Sequence, residues 1–225
     1  MADILVNRDV ASQKIVAVIP ALNEAATIGL VISEVKEYVD LVIVVDDHSN
    51  DNTCEISRAA GALVFTNNQN QGYDKAINRG FELAISNGAT IIITFDADGQ
   101  HNSKDIKEMV ALILKGDADL VVGKRPRHVR ITEQLFAFVA KRKAGIDDPL
   151  CGLKAYRSEI YKDIGYFDRI SSIGTQLMFK AKRKGYKVIQ KDISLARRKD
   201  DPRFGKSIKA NYKIFKAIIR ILFPN

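Results

Sequence analysis

Asp96 and Asp98 stand one residue apart in "TFDADGQH" (94–101), directly after the apolar run "ATIIIT". Residues i and i+2 of an extended chain point the same way, so both carboxylates can approach one cation. Hard carboxylate oxygens suit Mg²⁺ or Mn²⁺, ions that keep positions open for substrate phosphates. Gln100 continues the spacing and adds an amide oxygen. The same stretch also suits a strand-to-helix turn, with Ser103 as cap and the acids favouring the helix N-terminus. His101 is then either a turn residue or a further ligand.

A second acidic pair, Asp46 and Asp47, lies in "VVDDHSNDNT" (44–53). An acid after a strand of a nucleotide-binding sheet accepts hydrogen bonds from a base or ribose. Asp46 suits that role, and Asp47 either shares it or assists near the metal. A loop rich in Asp, Asn and Ser equally suits Asx-type turns. In "NQNQGYDKAINRG" (68–80), Gly72 opens a helix that carries Lys75 and Arg79 one turn apart. A helix N-terminus attracts phosphate, and an ordinary solvated helix face is the alternative. His48 and His128 read as surface or turn residues, and no Ser-His-Asp or Cys-His arrangement is visible.

These residues need elements to position them. Apolar runs at 14–20, 41–47, 62–66, 89–96 and 118–123 read as strands. Helical spacing marks 23–39, with Asn23 as cap and Ile28, Val31, Ile32 and Val35 inward, then 51–61, 73–88 and 103–116. Uniformly apolar strands alternating with helices predict an α/β fold, a mainly parallel sheet covered on both faces. Ligands of such sheets bind beyond the carboxyl ends of the strands, where both acidic pairs fall. The second half is less regular. It holds a basic helix at 131–145 with Ile131, Leu135, Phe138 and Val139 on one face, two short helices, a strand at 186–193 and a charged loop at 197–206.

The 225 residues, with no internal repeat or linker, suit one domain over 1–205 followed by a short helix over 206–225. No apolar run is long enough to span a bilayer, and the N-terminus lacks a secretory pattern. Two cysteines without metal-type spacing point to a reducing, cytoplasmic setting. Residues 1–112 hold 8 Lys and Arg against 16 Asp and Glu, whereas residues 113–225 hold 27 against 11. An acidic half and a basic half suit a cation on one side and an anionic group on the other. A basic surface also suits nucleic acid, but no helix-turn-helix, zinc-finger or RNP-type motif is present, so no nucleic-acid partner is expected. In the last segment, Lys206, Lys209, Lys213, Lys216 and Arg220 form a basic stripe. Beside it lies an apolar face of Ile208, Tyr212, Phe215, Ile219 and Leu222. Such a helix either packs on the domain or lies in the headgroup region of an anionic membrane.

In order, "VIPALNEAATIG", "VVDDHSNDNT", "NQGYDKAINRGFELA", "FDADGQH", "VVGKR", "DPLCGLKAYR" and "PRFGKS" resemble the family 2 glycosyltransferases, nearest to the polyprenyl-phosphate sugar transferases. The resemblance runs over residues 15–208. It implies a GT-A fold and inverting transfer from a UDP- or GDP-sugar donor to a polyprenyl phosphate acceptor. Pro20, Ala21 and Glu24 would line the nucleotide pocket with Asp46, and Asp96, Asp98 and Gln100 would hold Mg²⁺ or Mn²⁺. Arg125 would approach the diphosphate or the acceptor phosphate, and Asp148 would stand near the acceptor. Arg203 and Ser207 would belong to a loop that closes over the phosphates. The nucleotidyltransferases share the sheet but begin with a Gly-rich loop, which "IPALNEAATIG" is not.

Many relatives carry a glutamate where this chain has Gln176 in "GTQL". An amide cannot take a proton from an acceptor hydroxyl, whereas an ionised phosphate acceptor needs little base. Gln176, the basic half and the basic terminal helix together lead to a phosphorylated lipid acceptor and to a peripheral enzyme on the inner face of the membrane. Asp147 or Asp148 as base for a sugar hydroxyl in surface-polysaccharide assembly, and a non-catalytic nucleotide-sugar-binding homologue, are the alternatives. The lysine usual after the "GxS" serine is Ile208 here, leaving Lys206 or Lys209 to substitute.

Overall fold

The computed structural model describes residues 13–126, 131–195, 212, 214–216, 218 and 219. Seven strands form one sheet: β1 (Ile15–Ala21), β2 (Leu41–Asp46), β3 (Leu63–Thr66), β4 (Ile91–Thr94), β5 (Leu120–Lys124), β6 (Lys154–Arg157) and β7 (Val188–Asp192). Their order is β3-β2-β1-β4-β6-β5-β7. Every neighbouring pair is parallel except those of β6, which runs antiparallel to both β4 and β5.

The helices are α1 (Ile28–Val35), α2 (Thr53–Ala59), α3 (Tyr73–Ser86), α4 (Asp105–Leu114), α5 (Ile131–Ala144), α6 (Ser158–Ile164) and α7 (Gln176–Arg183). Alternate residues of β1 serve two cores, as the two-residue period of a strand requires. Val16 and Val18 pack with α3, α6 and α7. Ala17, Ile19 and Ala21 pack with α1 and α4. A strand buried on both faces must be apolar throughout, which explains the unbroken runs. Gly80 lets α3 lie close to the sheet, because a Cβ there would overlap the Val18 side chain. Among the described residues no helix is long and apolar enough to cross a membrane.

Three local expectations are corrected. Helix α1 begins at Ile28 rather than Asn23. Asn23 adopts φ 53° and its Oδ1 accepts the Asn50 N–H at 2.7 Å, so its side chain ties two loops together rather than capping a helix. Ser103 does not cap α4, which starts at Asp105; Asn102 Oδ1 instead accepts the Lys104 N–H at 3.1 Å. On α5, Leu135 and Phe138 point to solvent, while Glu133, Phe136, Ala137, Ala140 and Ala144 face inward. The small alanines allow close approach, and Glu133 turns inward toward Arg125 (3.4 Å).

The terminal segment departs similarly. Ile214 and Ile218 are buried against Phe136, whereas Tyr212, Phe215 and Ile219 are exposed. Ile208 and Leu222 lie outside the described residues, so only part of that face can be placed.

Phe81 anchors the larger aromatic cluster. Its ring centroid lies 5.3 Å from Tyr156, 5.1 Å from Tyr161 and 5.0 Å from Phe167. Phe81→Ala is expected to lower stability by about 3–5 kcal/mol, the usual cost of emptying a buried aromatic site, as measured by urea denaturation.

Candidate active site

The carboxyl ends of β1, β2 and β4 share one edge of the sheet. Ala21 pairs with Asp46 and Val18 with Thr94, and the Phe95 N–H continues the ladder to the Val18 carbonyl at 3.1 Å. The ends of β2 and β4 therefore flank β1, two strand spacings or about 10 Å apart, with Asp46 closing the first and Asp96 just past the second.

One wall of this edge is built by stitching the loop after β1 to the loop after β2. Backbone N–H groups of Asn23, Glu24 and Ala25 donate to Ser49 Oγ (2.8 Å), Thr53 Oγ1 (2.7 Å) and Asp51 Oδ2 (3.2 Å). Pro20 and Ala21 end β1 beside this seam, and Glu24 accepts from Thr27 Oγ1 at 3.3 Å. Asp46 is buried and bonded to the Ser49 hydroxyl. Asp47 accepts from Asn67 Nδ2 (2.8 Å), Gln71 N–H (2.9 Å) and Gly72 N–H (2.7 Å). Its carboxylate thus occupies the start of α3, where the sequence suggested a phosphate. Gly72, at φ 92°, is the residue that allows that backbone to turn. Lys75 is exposed one turn farther along α3.

Asp96 and Asp98 do not continue an extended strand. β4 ends at Thr94, residues 97 and 98 form a turn, and Gly99 takes φ 70°. His101 closes that turn: its Nε2 lies 3.1 Å from Asp96 Oδ2, and its ring stands edge-on to Phe95. Burial opposes ionisation of Asp96, but the His101 contact, with the charges of Lys154 and Arg125, outweighs it and holds the carboxyl below its ordinary range. Asp98 Oδ1 accepts the Gln100 N–H at 3.1 Å. Gly152 presses its backbone against Asp96, where any Cβ would overlap the carboxylate, and its carbonyl accepts from Thr94 Oγ1 at 2.7 Å. Among the described residues no three His, Cys, Asp or Glu side chains form a ready metal cage.

The other wall comes from β5 and the chain entering β6. Arg125 grips Asp148 with Nε (2.7 Å), Nη2 (2.8 Å) and its backbone N–H (3.1 Å). Asp148 is 1% exposed, so both oxygens are engaged by a two-pronged guanidinium. Asp147 bonds Lys141 (3.0 Å) and Lys124 (3.2 Å), whose hydrogen bonds hold its carboxyl below the usual range. Gln176 Oε1 accepts the Arg169 N–H at 2.7 Å and braces the loop before α7.

Sequence reasoning passed over two residues beside this edge, Asp74 and Lys154. A lysine followed by the apolar Ala155 and Tyr156 at the start of β6 was the legible signal, since a charge at a core position needs a reason. Arg203 and Ser207 lie outside the described residues, as do Lys206 and Lys209. The chain leading toward them runs past the acidic turn: Leu195 bridges His101, and Asn102 Nδ2 donates to Ser194 Oγ at 3.2 Å. Thr27, Leu30, Asp98, His101 and Leu195 line a cavity of about 410 Å³ there.

Comparison with known proteins places this edge in context. Residues 16–165 match Glycosyl transferase family 2. An uncharacterised protein of Methanocaldococcus jannaschii is 31% identical, over 97% of this chain and 95% of its own. A dolichyl-phosphate hexose transferase of Haloferax volcanii is 27% identical, over 76% of this chain and 78% of its own. The fold is that of glucosyl-3-phosphoglycerate synthase from Mycobacterium tuberculosis, solved with Mn²⁺, UDP and phosphoglyceric acid. That structure has a TM-score of 0.75 at 22% identity and covers 96% of this chain and 81% of its own.

The Arg125–Asp148 pair carries a stability prediction. Arg125→Met strands the buried Asp148 carboxylate and should cost about 3–5 kcal/mol, whereas the double variant Arg125→Met/Asp148→Leu should recover part of that loss, because Glu133 still loses its Arg125 contact. Chemical denaturation of the two variants measures both values.

Proposed function

The chain belongs to glycosyl transferase family 2 and is a glycosyltransferase, and on that premise we propose that it transfers a sugar, with inversion, from a UDP- or GDP-sugar to a polyprenyl phosphate. The observation that carries the acceptor class is the use already made of its polar groups. Asp148 is filled by Arg125, Asp147 is paired with two lysines, and position 176 is an amide. An acceptor that is ionised on arrival suits this wall better than a hydroxyl that must lose a proton. The name of the Haloferax relative supports the same class.

In this reading Pro20, Ala21, Glu24 and Asp46 receive the nucleoside, in a wall kept rigid by the seam between the two loops. Asp47 and Lys75 stand at the start of α3 beside it. Asp96, Asp98 and Gln100 would hold Mg²⁺ or Mn²⁺. The donor set fits: two carboxylates and an amide oxygen form no closed cage and leave positions for diphosphate oxygens. The bound ion would offset the charge that develops on the leaving diphosphate. His101 and Gly152 fix Asp96 for that purpose, the first by its hydrogen bond and the second by excluding other positions of the carboxylate. Arg125 and Arg203 would supply positive charge to the phosphates, and Ser207 a hydroxyl.

A transfer assay with radiolabelled UDP- and GDP-sugars tests the proposal. Label should pass to polyprenyl phosphate in the presence of Mn²⁺, and Asp98→Ala should lower turnover by at least about a hundredfold, the scale of one electrostatic contributor. Label found only in water-soluble saccharide would overturn the lipid acceptor, and undiminished turnover of Asp98→Ala would overturn the metal assignment.

The proposal includes peripheral attachment to the cytoplasmic face of a membrane. Five of the large apolar side chains left exposed are Leu135 and Phe138 on α5 and Tyr212, Phe215 and Ile219 on the terminal segment that packs against it. Lys141, Arg142, Lys143 and Lys216 are exposed on the same two elements, with Arg142 over the Phe138 ring at 5.6 Å. Apolar side chains flanked by cations suit an anionic headgroup layer. Replacing Tyr212, Phe215 and Ile219 together by Ser should reduce co-sedimentation with phosphatidylglycerol vesicles several-fold. Equal sedimentation of variant and parent would remove the attachment.

A further inference from the structure

Lys154 and Asp74 both reach Gly174, each with polar atoms left over, and the reaction scheme above leaves them idle. Lys154 begins β6 opposite Thr94, and its side chain lies in the sheet with 3% exposure. Among the described residues its one hydrogen bond is long, 3.5 Å from Nζ to the Gly174 carbonyl, which engages one of its three donors. Asp74 sits in the first turn of α3. Backbone N–H groups of Gly174 and Ile173 face it, yet its Oδ1 is buried without a partner among the described residues.

The two head groups therefore sit on either side of one residue, Gly174. The loop that presents it is held in a conformation side chains rarely adopt. Ser171, Ile173 and Gly174 take φ values of 52°, 57° and 68°. Asp168 secures this by accepting the Ile170 N–H at 3.0 Å and the Ser172 N–H at 3.1 Å. Left-handed conformations at Ser and at β-branched Ile are strained, and such strain gathers where a ligand is clamped.

The pair adjoins the metal-side acid. Gly152, two residues before Lys154, abuts Asp96, and the charge of Lys154 acts on Asp96. Tyr73, next to Asp74, feels Asp96 as well. We infer that Lys154 and Asp74 bind a hydroxyl of the sugar being transferred, Lys154 donating a hydrogen bond to its oxygen and Asp74 accepting one from its O–H. The inference rests on the nucleotide-sugar reading, in which the pyranose is the first group beyond the diphosphate.

Complementarity selects this occupant. A hydroxyl donates one hydrogen bond and accepts others, so it completes a donor-only ammonium and an acceptor-only carboxylate together. A phosphate would face the Asp74 carboxylate, and a cation would face Lys154. The long bond to the Gly174 carbonyl is the one the hydroxyl exchanges for its own. Burial, and then the like charge of Asp168, push the Asp74 carboxyl up to about 6 against the lowering by the Gly174 and Ile173 N–H groups and the charge of Lys154.

The test couples protein variants to ligand variants. Calorimetry with Mn²⁺ gives dissociation constants of the full chain for UDP-glucose, UDP-N-acetylglucosamine and GDP-mannose. The 2-, 3-, 4- and 6-deoxy analogues of whichever binds are then measured. In the parent chain one deoxy analogue should bind at least about tenfold more weakly, because it leaves both buried groups unpaired. In Asp74→Asn and Lys154→Met that same analogue should bind as well as its parent sugar, while the penalties for the other positions persist. Equal weakening for all analogues, as a merely structural role predicts, overturns the inference. Asp74→Asn keeps the shape of the side chain and decides the matter if Lys154→Met does not fold. Binding of a parent nucleotide sugar without the coupled deoxy effect overturns this inference alone. If no parent sugar binds to the unmodified chain, the donor reading fails and this inference with it.

Discussion

The structure depends on keeping several carboxylates together at one edge of a buried sheet. Asp46, Asp47, Asp96, Asp98 and Asp148 gather at that edge, with Asp74 beside it. Two like charges about 10 Å apart repel by roughly 1.7 kcal/mol at an effective dielectric constant near 20. Several such pairs would consume much of the net stability of a domain. The acids of the edge itself are accordingly answered locally. Asp47 takes the amides at the start of α3. Asp148 takes a guanidinium. Asp96 takes a histidine and the field of a buried lysine. The loops around the edge are shaped by these demands more than by helix or strand propensity.

The antiparallel β6 is the topological device that makes this possible. In a wholly parallel sheet, the chain entering a strand lies at the edge remote from the site. Because β6 runs the other way between β4 and β5, its first residue, Lys154, pairs with Thr94 at the end of β4 and with Val122 near the end of β5. The loop that enters β6 thereby reaches the functional edge and brings Asp148, Gly152 and Lys154 with it. The charge split along the chain acquires a spatial meaning. The acidic half builds the wall of β1, β2 and β4, and the basic half supplies Arg125 and Lys154 from across β5 and β6.

Strand positions and the acidic pairs were legible because their signals are local. An apolar run of about five to eight residues bounded by Asp, Asn and Gly has few readings other than a covered strand. The start of α1 was not legible. Residues 23–27 have helical spacing, but their backbone donors are claimed by Ser49, Thr53 and Asp51, some 26 to 29 residues away. The inward face of α5 was misread because Leu135 and Phe138 are larger than the alanines that face the core. Hydrophobicity counts size, whereas close packing of a helix against a sheet rewards small residues at the contact.

The sequence by itself determined the alternation of strands and helices, the D-x-D at the end of the fourth strand and the family to which the ordered motifs belong. It also determined that Gln176 is an amide and that the chain divides into an acidic and a basic half. Only the tertiary structure decided that β6 is antiparallel, that Arg125 and Asp148 are partners, that Asp47 fills the start of α3, and that Asp74 and Lys154 meet at one residue, Gly174. The physical reason is the range of the interactions. Hydrophobic periodicity is written within one turn or one pleat, whereas pairing of buried charges joins residues far apart along the chain and exists only once the sheet has brought them together.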